Sequence, residues 1–150
     1  MKIKVREEIL RPREEVFATL SRPDVYLSKW ARGVLRVTED LTAKAQGGRS
    51  FRITGRDLTR KVYWSYDVLE LEQDRVFSGR ARGGPVEFSE SFHLETNADG
   101  TTEITHTHEL EPSGAFQLVG PVLRLVWPRL MKDNLRNLKT LIESAPAASS

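Results

Sequence analysis

Residues 97–143 read NADGTTEITHTHELEPSGAFQLVGPVLRLVWPRLMKDNLRNLKTLIE, and this stretch decides the fold. Asn97-Ala98-Asp99-Gly100 is a turn signal, because Asn and Asp bond their own backbone and Gly accepts a left-handed conformation. From Thr102 the period is two, with Ile104, His106, His108 and Leu110 on one face. After Pro112-Ser113-Gly114 the period changes. Leu123, Trp127, Leu130, Met131, Leu135, Leu138, Leu141 and Ile142 recur at helical spacing. The pattern predicts a helix over 121–143, roughly 33 Å long at about 1.5 Å per residue. Pro128 lacks an N–H and is expected to kink or interrupt it. A helix with so long an apolar face needs a large partner, and the remaining chain offers only a sheet.

The segments upstream supply that sheet. From Val34 to Glu111 the period stays close to two. Strands are expected at Val34–Thr38, at Ser50–Thr54 after Gly47-Gly48, at Val62–Val68, at Arg75–Ala81 and at Val86–Leu94. Their short connections argue for an antiparallel meander. At the start of the chain, Ile3, Val5 and Ile9 alternate with Lys4, Arg6 and Glu8 as a half-buried strand. Pro12 then opens a short helix whose first turn carries Glu14 and Glu15 and whose apolar face is Val16, Phe17 and Leu20. Ser21-Arg22-Pro23-Asp24 opens a second short helix through Val25, Tyr26, Leu27 and Trp30, and Gly33 ends it. Residues 1–144 form one domain in this reading, and 145–150 a small, polar, flexible tail.

A 150-residue chain is one domain and buries roughly 70% of its unfolded surface, so it needs no staples. It has no Cys, which removes disulfides, thiolate zinc sites and thiol nucleophiles and fits a reducing compartment. Lys and Arg total 23 against 21 acids, too close to balance to indicate a nucleic-acid partner. The N-terminus has no apolar run of signal-peptide length. The most apolar stretch, Leu118–Met131, contains Gly120, Pro121, Arg124, Pro128 and Arg129 and is too short and charged for a membrane span. A soluble, cytoplasmic protein is expected. Arg49, Arg52, Arg56, Arg60 and Lys61 read as a solvated sheet face, because no stacking aromatics interleave with them. Gly47-Gly48 lacks the Lys-Ser/Thr of a phosphate loop, and Ser113 lacks a nucleophile-elbow context.

The order strand, two short helices, about six strands and one long helix resembles the START/Bet v 1-like (SRPBCC) superfamily, in particular its bacterial polyketide cyclase/dehydrase-like members. Local motifs are similar too. Arg11-Pro12-Arg13-Glu14-Glu15-Val16-Phe17 stands where the family opens its first helix with Ala-Pro. Trp30 followed by Gly33-Val34, the hairpin Asp99-Gly100-Thr101-Thr102, and the ending Leu135, Leu138-Lys139 and Glu143 also match. The resemblance covers nearly the whole chain. It implies an α+β helix-grip fold: a curved antiparallel sheet of six to seven strands wrapped around the long C-terminal helix, with two short helices after strand one. It also implies a cavity between sheet and helices, which in relatives holds lipids, sterols or polyketides. The superfamily has no universal catalytic motif, so no reaction follows from it.

Strand parity gives the residues expected to face that cavity. They are Glu7 on the first strand, Trp64 and Tyr66 on the fourth, Phe88, Glu90 and Phe92 on the sixth, and His106 and His108 on the last. Trp127 and Met131 face it from the long helix. Tyr63 is a further wall candidate, and Trp30 packs the short helices onto the rest. A symmetric hairpin about Asn97–Gly100 would set Phe92 opposite Ile104 and Glu90 opposite His106, with paired Cβ atoms roughly 5 Å apart. Glu90 and His106 could then hydrogen-bond, with His108 one step along. A bulge between Phe88 and Leu94 would instead turn Glu90 outward.

Polar residues in an apolar row cost free energy if unpaired. The functional reading is a polar spot in an apolar pocket, where His106 or His108 acts as general acid–base and Glu90 fixes the tautomer. The plainer reading is that these groups satisfy one another or lie near a wet mouth. Glu90 with His106-x-His108 could in principle hold zinc or iron, but such sets are common and the family is not generally metal-dependent; no metal and no cofactor are expected. The expected function is binding of a small, largely hydrophobic ligand, such as a lipid or polyketide. Two alternatives stand beside it: a polyketide cyclase, aromatase or dehydratase using a pocket His/Glu, and a protein-interaction module with a filled interior and an exposed apolar patch. A monomer and a homodimer through the sheet edge both fit.

Overall fold

Alternation builds the first strand. In β1 (Lys2–Ile9), Val5 and Ile9 are buried while Lys2, Lys4, Arg6 and Glu8 face solvent. The computed structural model describes residues 1–56, 60–112 and 114–146. Ser113 and residues 147–150 of the expected tail therefore lie outside the described residues. Pro12, extended at φ −60° and ψ 151°, precedes α1 (Arg13–Leu20), which buries Val16, Phe17 and Leu20. Pro23 occupies the start of α2 (Pro23–Trp30), where its missing N–H has no partner to lose. Six more strands follow: β2 (Val34–Glu39), β3 (Ser50–Arg56), β4 (Lys61–Glu72), β5 (Val76–Arg82), β6 (Val86–Thr96) and β7 (Thr102–Pro112). A short helix not expected from the sequence, α3 (Leu41–Ala45), lies between β2 and β3. Asp40 caps it, its carboxylate accepting from the amides of Thr42 and Ala43. Five residues are too few to show a helical period.

The strands form one antiparallel sheet in the order β1-β7-β6-β5-β4-β3-β2, a meander closed by the first strand pairing with the last. A 3-10 turn (Gly114–Val119) leads into α4 (Gly120–Ser144), which the curved sheet grips. Met131, Leu135, Leu138 and Ile142 of α4 are buried in one core with Val5, Ile9, Leu94 and Ile104. Full burial of such a side chain is worth about 1.5–3 kcal/mol, so this half of the helix is firmly held. Polar contacts latch its C-terminal end. Glu143 accepts from the amide of Leu10 at 2.8 Å, Lys139 donates to the Glu8 carbonyl at 2.6 Å, and Arg11 donates to the Ala145 carbonyl at 2.8 Å. The N-terminal part is different. Val122, Leu125 and Val126, with Leu118 before them, are exposed, which gives the molecule an apolar outer patch. No helix among the described residues is long and apolar enough to cross a membrane.

Two expectations are corrected. The helix runs unbroken through Pro128. The proline removes the donor for the Arg124 carbonyl, and Arg124 faces solvent, where water can take that bond. The last hairpin is shifted by two residues. Leu94 pairs with Ile104, Phe92 with His106 and Glu90 with His108. The final pair is Thr96 with Thr102, so the loop is Asn97–Thr101, closed by Asn97 N–H to the Thr101 carbonyl at 2.8 Å, with Gly100 at φ +86°. A two-residue shift preserves the face, so Glu90 still points inward. The β6–β7 pairing carries no bulge. Bulges occur instead in β2 and β4, where Leu35 and Leu69 are left exposed.

Candidate functional site

A cavity of about 150 Å³ lies between the concave face of the sheet and the helices α2 and α4. Two kinds of surface bound it. On one side, β4 carries Trp64 and Tyr66 inward. Their rings occupy space that neighbouring strands leave free. A Cβ on Gly79 would sit 2.2 Å from Tyr66 Cζ, one on Gly84 1.9 Å from Trp64 Nε1, and one on Gly55 2.7 Å from Trp64 Cζ3. Tyr66 stacks on Phe77 with centroids 6.4 Å apart. The Trp64 N–H and the Tyr66 hydroxyl have no hydrogen-bond partner among the described residues. Burial, and then the charge of Glu90, holds the Tyr66 phenol well above its ordinary pKa, so it stays protonated.

The other side is a bonded cluster on β6 and β7. Glu90 Oε1 accepts from His106 Nε2 at 2.9 Å and from His108 Nε2 at 3.2 Å. Trp127 of α4 donates its indole N–H to His108 Nδ1 at 2.9 Å. An indole can only donate, so His108 Nδ1 carries a lone pair and its proton sits on Nε2. His108 is therefore neutral and gives its hydrogen to Glu90. Each imidazole also stacks on its cross-strand neighbourhood: His106 on Phe92 at 4.0 Å and His108 on Phe88 at 4.6 Å between centroids. Burial alone would raise the Glu90 carboxyl, but hydrogen bonds from the two imidazoles outweigh it and hold the group below the usual carboxylate range. Burial, reinforced by His108, lowers His106 to about 4 against the opposing pull of Glu90. The cluster is thus a carboxylate held by the Nε2–H groups of both imidazoles, with His106 neutral at neutral pH. Among the described residues, His106 Nδ1 has no hydrogen-bond partner.

The ligating atoms of Glu90, His106 and His108 all lie within 4.8 Å of one another, a spacing that a metal ion could use. The proton arrangement does not fit one. A metal needs the Nε2 lone pair, which would send the His108 proton to Nδ1, where the Trp127 N–H already points. As folded, the set is a hydrogen-bond cluster.

α2 and α4 cover the cavity through Leu27, Trp30, Trp127 and Leu130, with Arg32 and Asn134 at its rim. Polar bonds tie the two helices across the rim. The Arg32 amide donates to Asn134 Oδ1 at 3.0 Å, the Arg32 guanidinium to Asp133 at 3.3 Å, and Asn137 Nδ2 to the Trp30 carbonyl at 3.2 Å.

Of the residues expected at the site, Trp64, Tyr66, Phe88, Glu90, His106, His108 and Trp127 line this cavity. Phe92 lines a smaller void of about 20 Å³ on the other side of Glu90. Glu7 is half-buried on β1 opposite Ile104, outside the lining, and Met131 is buried in the core beneath it. Tyr63, expected in the wall, is 62% exposed, because its parity is opposite to that of Trp64. Trp30 packs edge-on against Phe92 and also lines the cavity, which strand parity could not show for a helical residue. Gly79 and Gly84 were overlooked as well. Glycine in or beside a strand marks a close approach, and that signal was present in the sequence.

The family model described as polyketide cyclase / dehydrase and lipid transport matches residues 1–143. Among solved structures, the Zhui aromatase/cyclase from Streptomyces sp. R1128 superposes with a TM-score of 0.80 at 16% identity, over 99% of this chain and 99% of its own. A conserved protein from Geobacillus kaustophilus gives 0.77 at 20% identity, over 95% of each chain. Ara h 8.0201 gives 0.73 at 16%, over 97% of this chain and 99% of its own. At such identities the likeness is one of fold. No curated protein sequence matches the chain.

Proposed function

The chain belongs to the polyketide cyclase/dehydrase and lipid transport family, and from that premise we propose that it binds a small, largely hydrophobic molecule between the sheet and the C-terminal helix. The observation that carries this reading is the cavity of about 150 Å³ with aromatic walls and one polar cluster. Apolar burial supplies affinity and the polar cluster orients one end of the ligand. The volume decides the size class. An apolar cavity of roughly 150 Å³ accepts a benzene-sized guest, whereas drug-sized ligands need about 300 Å³ or more. A single-ring molecule fits the cavity as folded. A longer lipid or fused-ring polyketide requires α2 and α4 to part at Arg32, Asp133 and Asn134. Native mass spectrometry of the purified protein, before and after denaturing extraction, tests the proposal. A retained apolar molecule supports it. No retained molecule, together with no rise in melting temperature across single-ring, lipid and polyketide panels, counts against it.

An enzymatic reading is favoured by one separate observation. His106 is buried, neutral and oriented by Glu90, with Nδ1 unpartnered, which is a base fixed by an orienting group. Under this reading the cavity would turn over a polyketide-like substrate by proton transfer. Replacement of His106 by Ala would then abolish turnover and leave ligand binding in place; equal loss of both would contradict it.

A further inference from the structure

We propose that the cavity selects a single-ring ligand bearing a cationic nitrogen, with the ammonium group set against Glu90. This rests on the ligand-binding reading above and names the chemical class it takes. Both hydrogen bonds from the histidines end on Oε1 of Glu90. Oε2 takes no hydrogen bond from either histidine, and the Tyr66 hydroxyl lies beside the same carboxylate. The carboxylate is almost enclosed, its side chain being 12% exposed.

Charge is what makes this oxygen selective. His108 is neutral because its Nδ1 is committed to the indole of Trp127. His106 is neutral near pH 7 because burial depresses its basicity. The imidazoles stabilise the Glu90 carboxylate through their N–H groups, but a neutral ring adds no formal positive charge beside it. The one cationic side chain in the lining, Arg32, sits at the rim, two-thirds exposed and paired with Asp133. The hydrogen bonds keep the carboxylate ionised but leave its negative charge uncancelled, and in a site this enclosed a bound cation is attracted to it more strongly than in water. The rest of the lining suits the same guest. Trp64, Trp127, Phe88 and Tyr66 present ring surface around the cavity, and aromatic faces attract ammonium groups most strongly when both are dry. A neutral hydrocarbon fits the shape and leaves the charge uncompensated. An anionic ligand would meet Glu90 directly.

Calorimetric titration with three near-isosteric probes, toluene, benzyl alcohol and benzylammonium at pH 7, separates the claims. All three are expected to bind in competition with one another, benzylammonium at least tenfold tighter than benzyl alcohol. In Glu90→Gln the preference for benzylammonium over benzyl alcohol is expected to fall to twofold or less. If toluene binds and the ammonium gains nothing over the alcohol, the selectivity fails and the cavity reading stands. If none of the three binds, both fail. A preference that survives Glu90→Gln also overturns the assignment to this carboxylate. The wild-type comparison decides by itself should that variant not fold.

Discussion

Glu90, His106 and His108 are held in place by hydrogen bonds, whereas Trp64 and Tyr66, across the same cavity, are held by what their neighbours lack. The first group shares one carboxylate oxygen and is anchored to α4 through the Trp127 indole. The second lies over Gly55, Gly79 and Gly84, and its polar atoms have no hydrogen-bond partner among the described residues. Bonds fix direction; clearance fixes only volume. Under the proposed binding function, the β6–β7 side would set the orientation of a guest and the β4 side would adjust to its shape. The two sides should respond differently to substitution and to pH.

The largest expected effect breaks the glycine-cleared side. Gly79→Ala places a methyl 2.2 Å from Tyr66 Cζ, so the ring must be displaced from its stack on Phe77 toward the cavity it lines. Overpacking of this kind costs up to about 3 kcal/mol, read as a lower urea midpoint. A loss under roughly 0.5 kcal/mol would mean that the ring is loosely seated.

The bonded side should show itself in pH. His106 titrates near 6.5 when unfolded and near 4 in the fold, so between these values the unfolded chain binds more protons. Stability is thus fully present above about pH 6.5 and falls as pH drops toward 4, by about 3 kcal/mol on the linkage scale. The depressed Glu90 carboxyl acts in the same direction at lower pH, below its ordinary value of 4.5. Urea melts at pH 7 and pH 4.5 measure the loss, and His106→Leu should flatten most of it. An equal slope in that variant would place the titration elsewhere.

Smaller effects sharpen the contrast. Glu90→Gln keeps the shape and can leave its carbonyl oxygen at the Oε1 position, but turns two charge-assisted bonds into neutral ones, at a cost of about 2 kcal/mol in the same melts. Trp127→Phe removes the donor to His108 Nδ1 and costs about 1 kcal/mol. It also frees the tautomer, so nitrogen NMR should show His108 protonated partly on Nδ1. Tyr66→Phe removes a hydroxyl that lies beside Glu90 but meets no hydrogen-bond geometry among the described residues, and should change stability by no more than about 0.5 kcal/mol.

The sequence carried the sheet and the long helix clearly, because period two in Thr102–Leu110 and helical spacing in Leu123–Ile142 are strong signals with one solution each. The same parity set Glu90 and both histidines on one face. It could not count the loop residues, which is why the register of β6 on β7 was two residues out while the cluster itself survived. Contributions from other elements were less visible. Trp30 reaches the cavity from α2, and the bond from Trp127 to His108 joins segments whose relation only the packed fold defines. Met131 shares the apolar stripe of Trp127 yet ends in the core, since one turn along α4 the cavity has closed.

The chain has three tryptophans, and Trp30, Trp64 and Trp127 all line the cavity. Their indole N–H signals in a proton–nitrogen NMR titration with toluene therefore test the central claim directly. The account requires saturable shifts at all three, largest for Trp64, whose N–H has no hydrogen-bond partner among the described residues. Unmoved indoles, with shifts confined to the exposed face of α4 at Val122, Leu125 and Val126, would contradict it.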